Sequence, residues 1–182
     1  MGEIVKLLEN RHATRSIDPE PLSEESIGEL IEAARLAPSC FNNQPWRYLF
    51  LLSEKSRVKG REVLTGGNRD WAGRAPLLVI AHTRQEDDCA MPDRAYHQFD
   101  LGLSVMNIML AATEQGLVAR PMAGFNPQKA REAFGLGDDV EPLVMLAIGK
   151  PSTDEDHLPD RYKGIADKPR ERKQAVEIVE RL

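Results

Sequence analysis

Apolar side chains recur at helical spacing near the start of the chain, and polar residues mark where the helices begin and end. Within residues 2–11, the apolar positions 4, 5, 7 and 8 predict a short amphipathic helix that ends near Asn10. A longer helix is predicted between Ser23, whose hydroxyl can cap the first backbone N–H groups, and Pro38, which stops it. The two glutamates after Ser23 favour the positive end of this helix.

Continuous apolar runs alternate with polar, capped stretches over the rest of the chain. We predict strands at 47–53, 76–82, 117–125 and 141–151, helices within 54–64, 97–116 and 126–137, and a loop at 65–74. The helix within 97–116 is apolar on nearly all of its faces, so it belongs in a large core or in a subunit interface. Strands separated by helices indicate a mixed α+β domain built in layers.

The chain becomes polar after Pro151 and ends in an amphipathic segment, residues 174–182. A polar tail of this kind that ends in an apolar helix usually wraps around another surface, and a second copy of the chain is the nearest candidate. We therefore expect a single domain over residues 1–182, in which residues 152–182 form a dimer-wrapping tail.

The composition is that of an ordinary globular protein, with 41% hydrophobic and 29% charged residues. A domain of this size buries about 70% of its unfolded surface, so it needs neither a disulfide nor a metal to fold. The formal net charge of −5 argues against a nucleic-acid partner or an anionic membrane surface, because phosphate-rich partners require a clustered positive field. Any anion site is therefore local.

Cys40 and Cys89 are the only cysteines in the sequence. No secretory apolar region follows Met1, and no apolar run is long enough to span a bilayer, so we expect a cytoplasmic protein. In that reducing setting, both cysteines are expected to be free thiols.

Several common site motifs are absent from the sequence. There is no G-x-G-x-x-G dinucleotide motif, no phosphate-binding G-x-x-x-x-G-K-S/T motif and no G-x-S-x-G nucleophile elbow. The four histidines have no metal-ligand spacing with one another or with the cysteines, so no metal site is expected.

Arg11 and Arg15, with His12 beside the first, form a basic cluster ahead of the second helix. Their spacing of four residues is about one helical turn and also an even number of strand steps, so either geometry places both guanidinium groups on one side. Two guanidinium groups suit the oxygens of a phosphate. The cluster is equally consistent with a solvated basic turn that pairs with Asp18 or Glu20.

Two further stretches carry small or polar residues at the ends of elements. Residues 37–46 include three consecutive amide side chains (42–44), which suit the edge of a neutral heteroaromatic ring. Residues 120–125 include Ala123 and Gly124, which can bring backbone N–H groups close to a flat ligand or simply form a strand-end turn.

Taken in order, these stretches resemble the FMN-dependent nitroreductase family over essentially the whole chain. The pattern is Arg-x-x-x-Arg after a short helix, then Ala-Pro-Ser-x-x-Asn-x-Gln-Pro-Trp (37–46), then Pro-Met-Ala-Gly-Phe (121–125) and a basic tail. The resemblance implies an α+β fold, with a mixed sheet layered with helices. It also implies an intertwined homodimer that holds FMN in two sites at the subunit interface.

The same resemblance implies which residues bind the cofactor. The phosphate and ribityl end of FMN would lie against Arg11, His12, Ala13, Arg15, Arg170 and Arg172. The ring would lie against Pro38, Ser39, Cys40, Asn42, Asn68, Pro121, Met122, Ala123 and Gly124. Residues 38–42 would come from the partner subunit, Asn68 would face the pyrimidine edge, and residues 121–124 would cover the other face with a backbone N–H near N5. Phe41 and Phe125 are candidates for pocket walls or for core.

Three features depart from the family pattern. Ala13 stands where a serine hydroxyl is common, so one phosphate hydrogen bond is lost. Trp71 stands where some members place a lysine near the flavin. The longer helical insertion between the central helices is absent, which leaves the substrate lid undefined.

The function implied by the resemblance is a hydride-transferring oxidoreductase. NADH or NADPH would reduce the flavin at N5, and an electron-poor acceptor such as a nitroaromatic, a quinone or an activated enone would then enter the same pocket. One shared pocket predicts ping-pong kinetics. No side-chain acid or base is required, so no catalytic residue is assigned.

Three alternatives stay open. A relative that dehalogenates its substrate or fragments its flavin would bind FMN tightly but turn over nitroaromatics poorly. A non-catalytic flavin-binding or sensory dimer would bind FMN without rapid reduction by NADH or NADPH. A protein with no flavin would be colourless.

Overall fold

The computed structural model of the chain describes residues 2–165 and 170–182. One sheet of four strands lies at its centre: β1 (Arg47–Leu51), β2 (Leu77–Arg84), β3 (Val118–Met122) and β4 (Val140–Gly149). The strands lie in the order β1-β2-β4-β3, and each neighbouring pair of them is antiparallel. All of the strands that the apolar runs predict are present.

The helices that the sequence predicts are present as well. The described residues form α1 (Glu3–Asn10), α2 (Glu24–Arg35), α3 (Glu54–Val63), α4 (His97–Glu114), α5 (Pro127–Phe134) and α6 (Ala175–Ile178). The predicted cap of α2 is confirmed, because Ser23 Oγ accepts a hydrogen bond from the Ser26 N–H at 3.1 Å. The stretch predicted as a loop after α3 folds into two short 3-10 turns.

The side chains of β2 alternate between two cores on opposite faces of the sheet. Leu77, Val79 and Ala81 pack with residues of α2 and α4. Leu78 and Ile80 pack with residues of α3 and α5. Helices therefore cover both faces of the sheet, which confirms the predicted α+β class with helices layered on a sheet.

Helix α4 buries one face in the core and leaves other apolar positions uncovered by the described chain. Leu101 and Ile108 are buried, whereas Phe99 is 60% exposed. Helix α1 buries none of its residues. The core of one chain therefore accounts for only part of the apolar surface of these helices.

The tail is exposed from residue 170 to the end of the chain. Its amphipathic segment forms only the four-residue helix α6. The dimer-wrapping role of residues 152–182 stays a prediction, and residues 166–169 of that tail lie outside the described residues. In the part of the chain that the structure describes, no helix is long and apolar enough to cross a membrane.

A chain of two hydrogen bonds, the first half-buried and the second buried, joins β1, α4 and α2. The Tyr48 hydroxyl donates to Ser104 Oγ at 2.6 Å, and Ser104 Oγ donates to the Ala34 carbonyl at 2.8 Å. Ser104 is fully buried. Burial raises the pKa of Tyr48 to about 12, so this hydroxyl stays protonated and remains a donor.

We expect Ser104→Ala to lower the free energy of unfolding by about 1–3 kcal/mol, because it leaves the buried Tyr48 hydroxyl without its partner. Chemical denaturation measures the change. Tyr48→Phe removes the orphaned hydroxyl, so the double variant should cost less than the sum of the single variants. Strictly additive losses would contradict the coupling of these two side chains.

Candidate anion-binding site

The segment that carries Arg11 and Arg15 is fixed at the end of strand β4. The Asp18 N–H donates to the Lys150 carbonyl at 2.9 Å, and the Ser152 N–H donates to the Ser16 carbonyl at 3.1 Å. Ile17 between them is buried. A Cβ at Gly149 would lie 2.5 Å from Ile17 Cγ2, so the close approach of this segment to the strand depends on the glycine.

The acidic residues near this segment have other partners. The Glu20 carboxylate pairs with Lys150 Nζ at 2.7 Å, and Asp18 Oδ1 accepts the Glu20 N–H at 2.9 Å. Within residues 2–165 and 170–182, neither Arg11 nor Arg15 forms an ion pair. The solvated-turn interpretation, in which these arginines pair with Asp18 or Glu20, is therefore not what the structure shows.

Arg15 is held against an aromatic ring. Its guanidinium carbon lies 4.3 Å from the ring centroid of Tyr162, a cation–π distance. The Arg15 Nε is buried and has no hydrogen-bond partner in the described chain. Within residues 2–165 and 170–182, the terminal guanidinium nitrogens of Arg15 form neither a hydrogen bond nor an ion pair, so these two nitrogens are the ones free to donate to a ligand.

Arg120 of β3 joins the same cluster from the sheet. One of its terminal nitrogens donates to the Ala13 carbonyl, and its guanidinium carbon lies 5.3 Å from the ring centroid of buried Trp71. Its Nε also has no partner among the described residues. Burial, and next the charge of Arg15, lower the pKa of Arg120 to about 10, because both disfavour its charged form.

Arg11 meets the C-terminal tail at the other end of the segment. Arg170 donates to the backbone carbonyls of Arg11 and Glu9. Burial lowers the pKa of Arg11, and the positive charges of Arg170 and Arg172 lower it further. The structure thus brings both tail arginines beside Arg11, as the resemblance implied, and they belong to the same chain. We call Arg11, Arg15, Arg120, Arg170 and Arg172 the arginine cluster.

His12 and Ala13 complete the segment between the first two arginines. His12 is exposed, and its Nδ1 lies 3.1 Å from the Asn10 carbonyl. Ala13 contributes its backbone carbonyl to Arg120 rather than any side-chain donor. Arg120 therefore contacts the main chain at position 13, where the resemblance implies that a serine hydroxyl is common.

The turn at 121–124 and the loop that carries Asn68 pack against each other. Asn68 Nδ2 donates to the Gly124 carbonyl at 3.1 Å, and the Thr65 N–H donates to the same oxygen at 3.0 Å. A Cβ on Gly124 would lie 2.6 Å from Asn68 Nδ2. The two stretches that the resemblance assigned to the flavin ring are therefore one contiguous surface.

Side chains at this surface divide between core and solvent. Met122 and Phe125 are buried in the core under α3 and α5, so Met122 can meet a ligand only through its backbone, and Phe125 is core rather than pocket wall. Pro121 and Ala123 are exposed.

Residues 38–42 lie in a loop after α2, apart from the arginine cluster. In the described ranges, no hydrogen bond or ion pair joins the two groups. The Cys40 N–H donates to the buried Asp100 carboxylate at 3.0 Å. Ser39 is half-buried, and Pro38 and Asn42 are exposed. Phe41 is 80% exposed. Their predicted contact with a cofactor held by the partner subunit stays a prediction.

The prediction of two free thiols is wrong, because Cys40 and Cys89 form a disulfide. Their Cα atoms lie 5.7 Å apart, although 49 positions separate them in the sequence. The pairing arises because antiparallel β1 and β2 bring the segment before β1 beside the segment after β2. Such a contact depends on strand register, which the cysteine count alone does not reveal.

Sequence reasoning missed Arg120 and Tyr162 in the site. Arg120 could have been predicted from the sequence, because it directly precedes residues 121–124 and the guanidinium group of arginine binds phosphate. No local sequence pattern indicated a role for Tyr162. It joins the site because its hydroxyl end packs on Gly67, where a Cβ would lie 1.7 Å from the Tyr162 oxygen.

Comparison with known proteins gives consistent matches. Residues 8–65 and 51–150 match the model of the Nitroreductase family. A Bacillus subtilis (strain 168) protein named FMN reductase (NAD(P)H) is 30% identical over 176 residues, which covers 84% of this chain and 67% of that protein.

Two solved structures share the fold over nearly the full chain. A nitroreductase family protein from Clostridium difficile 630 has a TM-score of 0.80 at 26% identity, covering 99% of this chain and 98% of that one. An oxidoreductase described as containing FMN has a TM-score of 0.84 at 26% identity, covering 95% and 88% of the two chains.

We expect inorganic phosphate to raise the melting temperature more than chloride does at equal ionic strength, because it compensates the arginine cluster. Arg120→Gln removes one charge-assisted contact, worth about 1.5–3 kcal/mol, and should weaken phosphate binding roughly tenfold or more. Arg35→Gln is the matched control, since Arg35 is exposed and pairs with Glu32 at 2.7 Å. Equal phosphate stabilisation in all three proteins would argue against the site.

Proposed function

This chain belongs to the nitroreductase family, and from that premise we propose that it is an NAD(P)H-dependent oxidoreductase that uses FMN. The observation that carries the proposal is the arginine cluster, whose buried donors lack acidic partners in the described chain. The names of two similar proteins, an FMN reductase and an oxidoreductase containing FMN, support the same cofactor.

The phosphate of FMN fits the cluster by charge and by donor number. A phosphate monoester carries up to two negative charges and accepts several hydrogen bonds, which suits the terminal guanidinium nitrogens of Arg15 and Arg120. Arg11 and the two tail arginines would close the other side, with His12 near the ribityl chain. A bound dianion would remove the charge penalty that lowers the pKa of Arg11 and of Arg120.

The surface beside the cluster suits the flavin ring. Asn68 is held by its Nδ2 contact to Gly124, and its amide would face the polar pyrimidine edge. The exposed backbone at residues 121–124 would cover one ring face, and residues 38–42 of a second subunit would cover the other. Trp71 lies buried under Arg120, so it would support the cluster from below rather than contact the ring.

Bound FMN supplies hydride chemistry between a nicotinamide donor and an electron-poor acceptor. The chain would hold the phosphate, orient the ring and leave one open pocket for both substrates. No side chain has to move a proton for this purpose. We therefore propose NADH or NADPH as donor, a nitroaromatic, quinone or activated enone as acceptor, and ping-pong kinetics.

Exposed apolar side chains support an intertwined homodimer. Ile4 of α1 is 71% exposed and Phe99 of α4 is 60% exposed. The tail leaves Val176 and Ile178 exposed at 87% and 68%. Contiguous exposed apolar surface marks an interaction site, and a second copy of this chain would cover α1 and α4 while its tail wraps around the first.

Anaerobic mixing tests the function. The purified protein should take up FMN and turn yellow, and NADH or NADPH should bleach the flavin absorbance rapidly, because hydride transfer needs only the bound ring and an open pocket. The Arg11→Ala/Arg15→Ala variant should lose about 1.5–3 kcal/mol of FMN binding per removed contact and keep its fold by circular dichroism. Arg35→Ala serves as the control.

The remaining outcomes separate the alternatives. A colourless protein that takes up no added FMN would overturn the proposal. FMN binding without rapid reduction would indicate a sensory or non-catalytic dimer. Rapid reduction followed by poor turnover of nitroaromatics, quinones and enones would place the activity elsewhere in the family.

A further inference from the structure

Positive backbone φ angles outside glycine are concentrated in two short segments of the described chain. The residues are Phe41 (49°), Asn42 (60°), Gln44 (50°), Ala90 (39°) and Asp93 (61°). L-residues avoid this region unless surrounding contacts enforce it, and only the asparagine and the aspartate have side chains that tolerate it well. The two segments, residues 39–44 and 89–93, are therefore held in conformations that most of their residues do not favour.

The Cys40–Cys89 disulfide joins these two segments directly. A second tie reaches Asp88, the residue directly before the second segment, because Asn43 Nδ2 donates to its carbonyl at 3.0 Å in an exposed contact. Polar contacts of this kind in solvent contribute little. The disulfide is thus the main cross-link that keeps the two strained segments together.

Two hydrogen bonds, besides the disulfide, hold the loop at residues 39–44. The Cys40 N–H donates to the carboxylate of Asp100, which is 2% exposed on α4, and the Gln44 N–H donates to Ser39 Oγ at 2.9 Å. In this conformation of the loop, Phe41 and Asn42 are exposed to solvent. Strained loops that are fixed by a few contacts change conformation when one of those contacts is removed.

We propose that Cys40 and Cys89 form a reversible thiol–disulfide site for a dithiol reductant, and that its oxidation state sets the conformation of residues 39–44. The consequence for activity rests on the proposed function, which places residues 38–42 against the cofactor ring. The chemistry of the site itself does not depend on that function.

The exchange begins at Cys40, which is half-buried, whereas Cys89 is 5% exposed. One thiolate of the dithiol attacks Cys40 Sγ, the S–S bond breaks, and Cys89 leaves as a thiolate that takes a proton from water. The second thiol of the reductant then attacks the mixed disulfide and releases Cys40. The reductant gives up two electrons and two protons and becomes a disulfide, and the protein gains two thiols.

Alkylation of the native protein tests the exchange. Without reductant, N-ethylmaleimide should label no cysteine of the folded protein purified in air. After incubation with dithiothreitol, two labels should appear together by mass spectrometry, and removal of the dithiol in air should reverse the change. Two labels without reductant, or a disulfide that yields only after urea unfolding, would overturn the proposal.

Hydrogen exchange tests the conformational consequence. Reduction should speed amide exchange within residues 39–44 and 89–93 and leave β2 and β4 unchanged. The Cys40→Ser/Cys89→Ser variant should exchange like the reduced protein and ignore dithiothreitol. If exchange in both segments is the same in the oxidised and reduced wild type, the disulfide does not control the loop, and this comparison holds even where the variant folds poorly.

Cofactor affinity tests the functional consequence with FMN itself. In the wild type, reduction of the disulfide should change the FMN dissociation constant, or the rate at which NADH reduces the bound flavin, by about 5-fold or more. Dithiothreitol should change neither quantity in the Cys40→Ser/Cys89→Ser variant. Equal FMN affinity and equal rates of flavin reduction in the oxidised and the reduced wild type would refute the proposed effect of the disulfide on function. A protein that binds no FMN would overturn the proposed function instead, and the alkylation and exchange results would still decide the thiol site.

Discussion

The burial of guanidinium groups beside like charges is the constraint on which the rest of this structure depends. Burial, and next the charge of Arg15, lower the pKa of Arg120 at one end of the segment 11–15, and burial, with the charges of the two tail arginines, lowers the pKa of Arg11 at the other. The nearby acidic residue Glu20 forms its ion pair with Lys150 and not with these arginines. An anion would compensate like charge that is gathered in this way, and the proposed function makes that anion the phosphate of FMN.

The sheet determines where this charge lies. Strand β4 ends beside Ile17 and so fixes the basic segment, and its neighbour β3 delivers Arg120 to the same place. Gly124, just after the end of β3, accepts a hydrogen bond from Asn68, so residues 121–124 and Asn68 form one surface next to Arg120. On the opposite side of β2, the register with β1 brings Cys40 to Cys89. One antiparallel sheet thus positions both the arginine cluster and the cross-linked loop.

Much of this arrangement could be predicted from sequence. The helix bounded by Ser23, the buried run of β2 and the α+β class follow from local patterns that packing did not override. The grouping of Arg11 with the tail arginines came from the resemblance, because no local pattern links residues so far apart. Tyr162 and the disulfide were missed, since each depends on contacts between distant segments, whereas Arg120 was missed although it directly precedes residues 121–124. The homodimer and the ring contacts of residues 38–42 require a second subunit and remain proposals.

The most direct test of the central claim compares FMN with riboflavin, which lacks only the phosphate. Titration of the wild-type apoprotein should show a preference for FMN of about 100-fold or more, the value expected from two charge-assisted contacts. The Arg15→Ala/Arg120→Ala variant should lose most of that preference while its riboflavin affinity changes little. An equal preference for FMN in the wild type and the variant would show that the arginine cluster does not bind the phosphate.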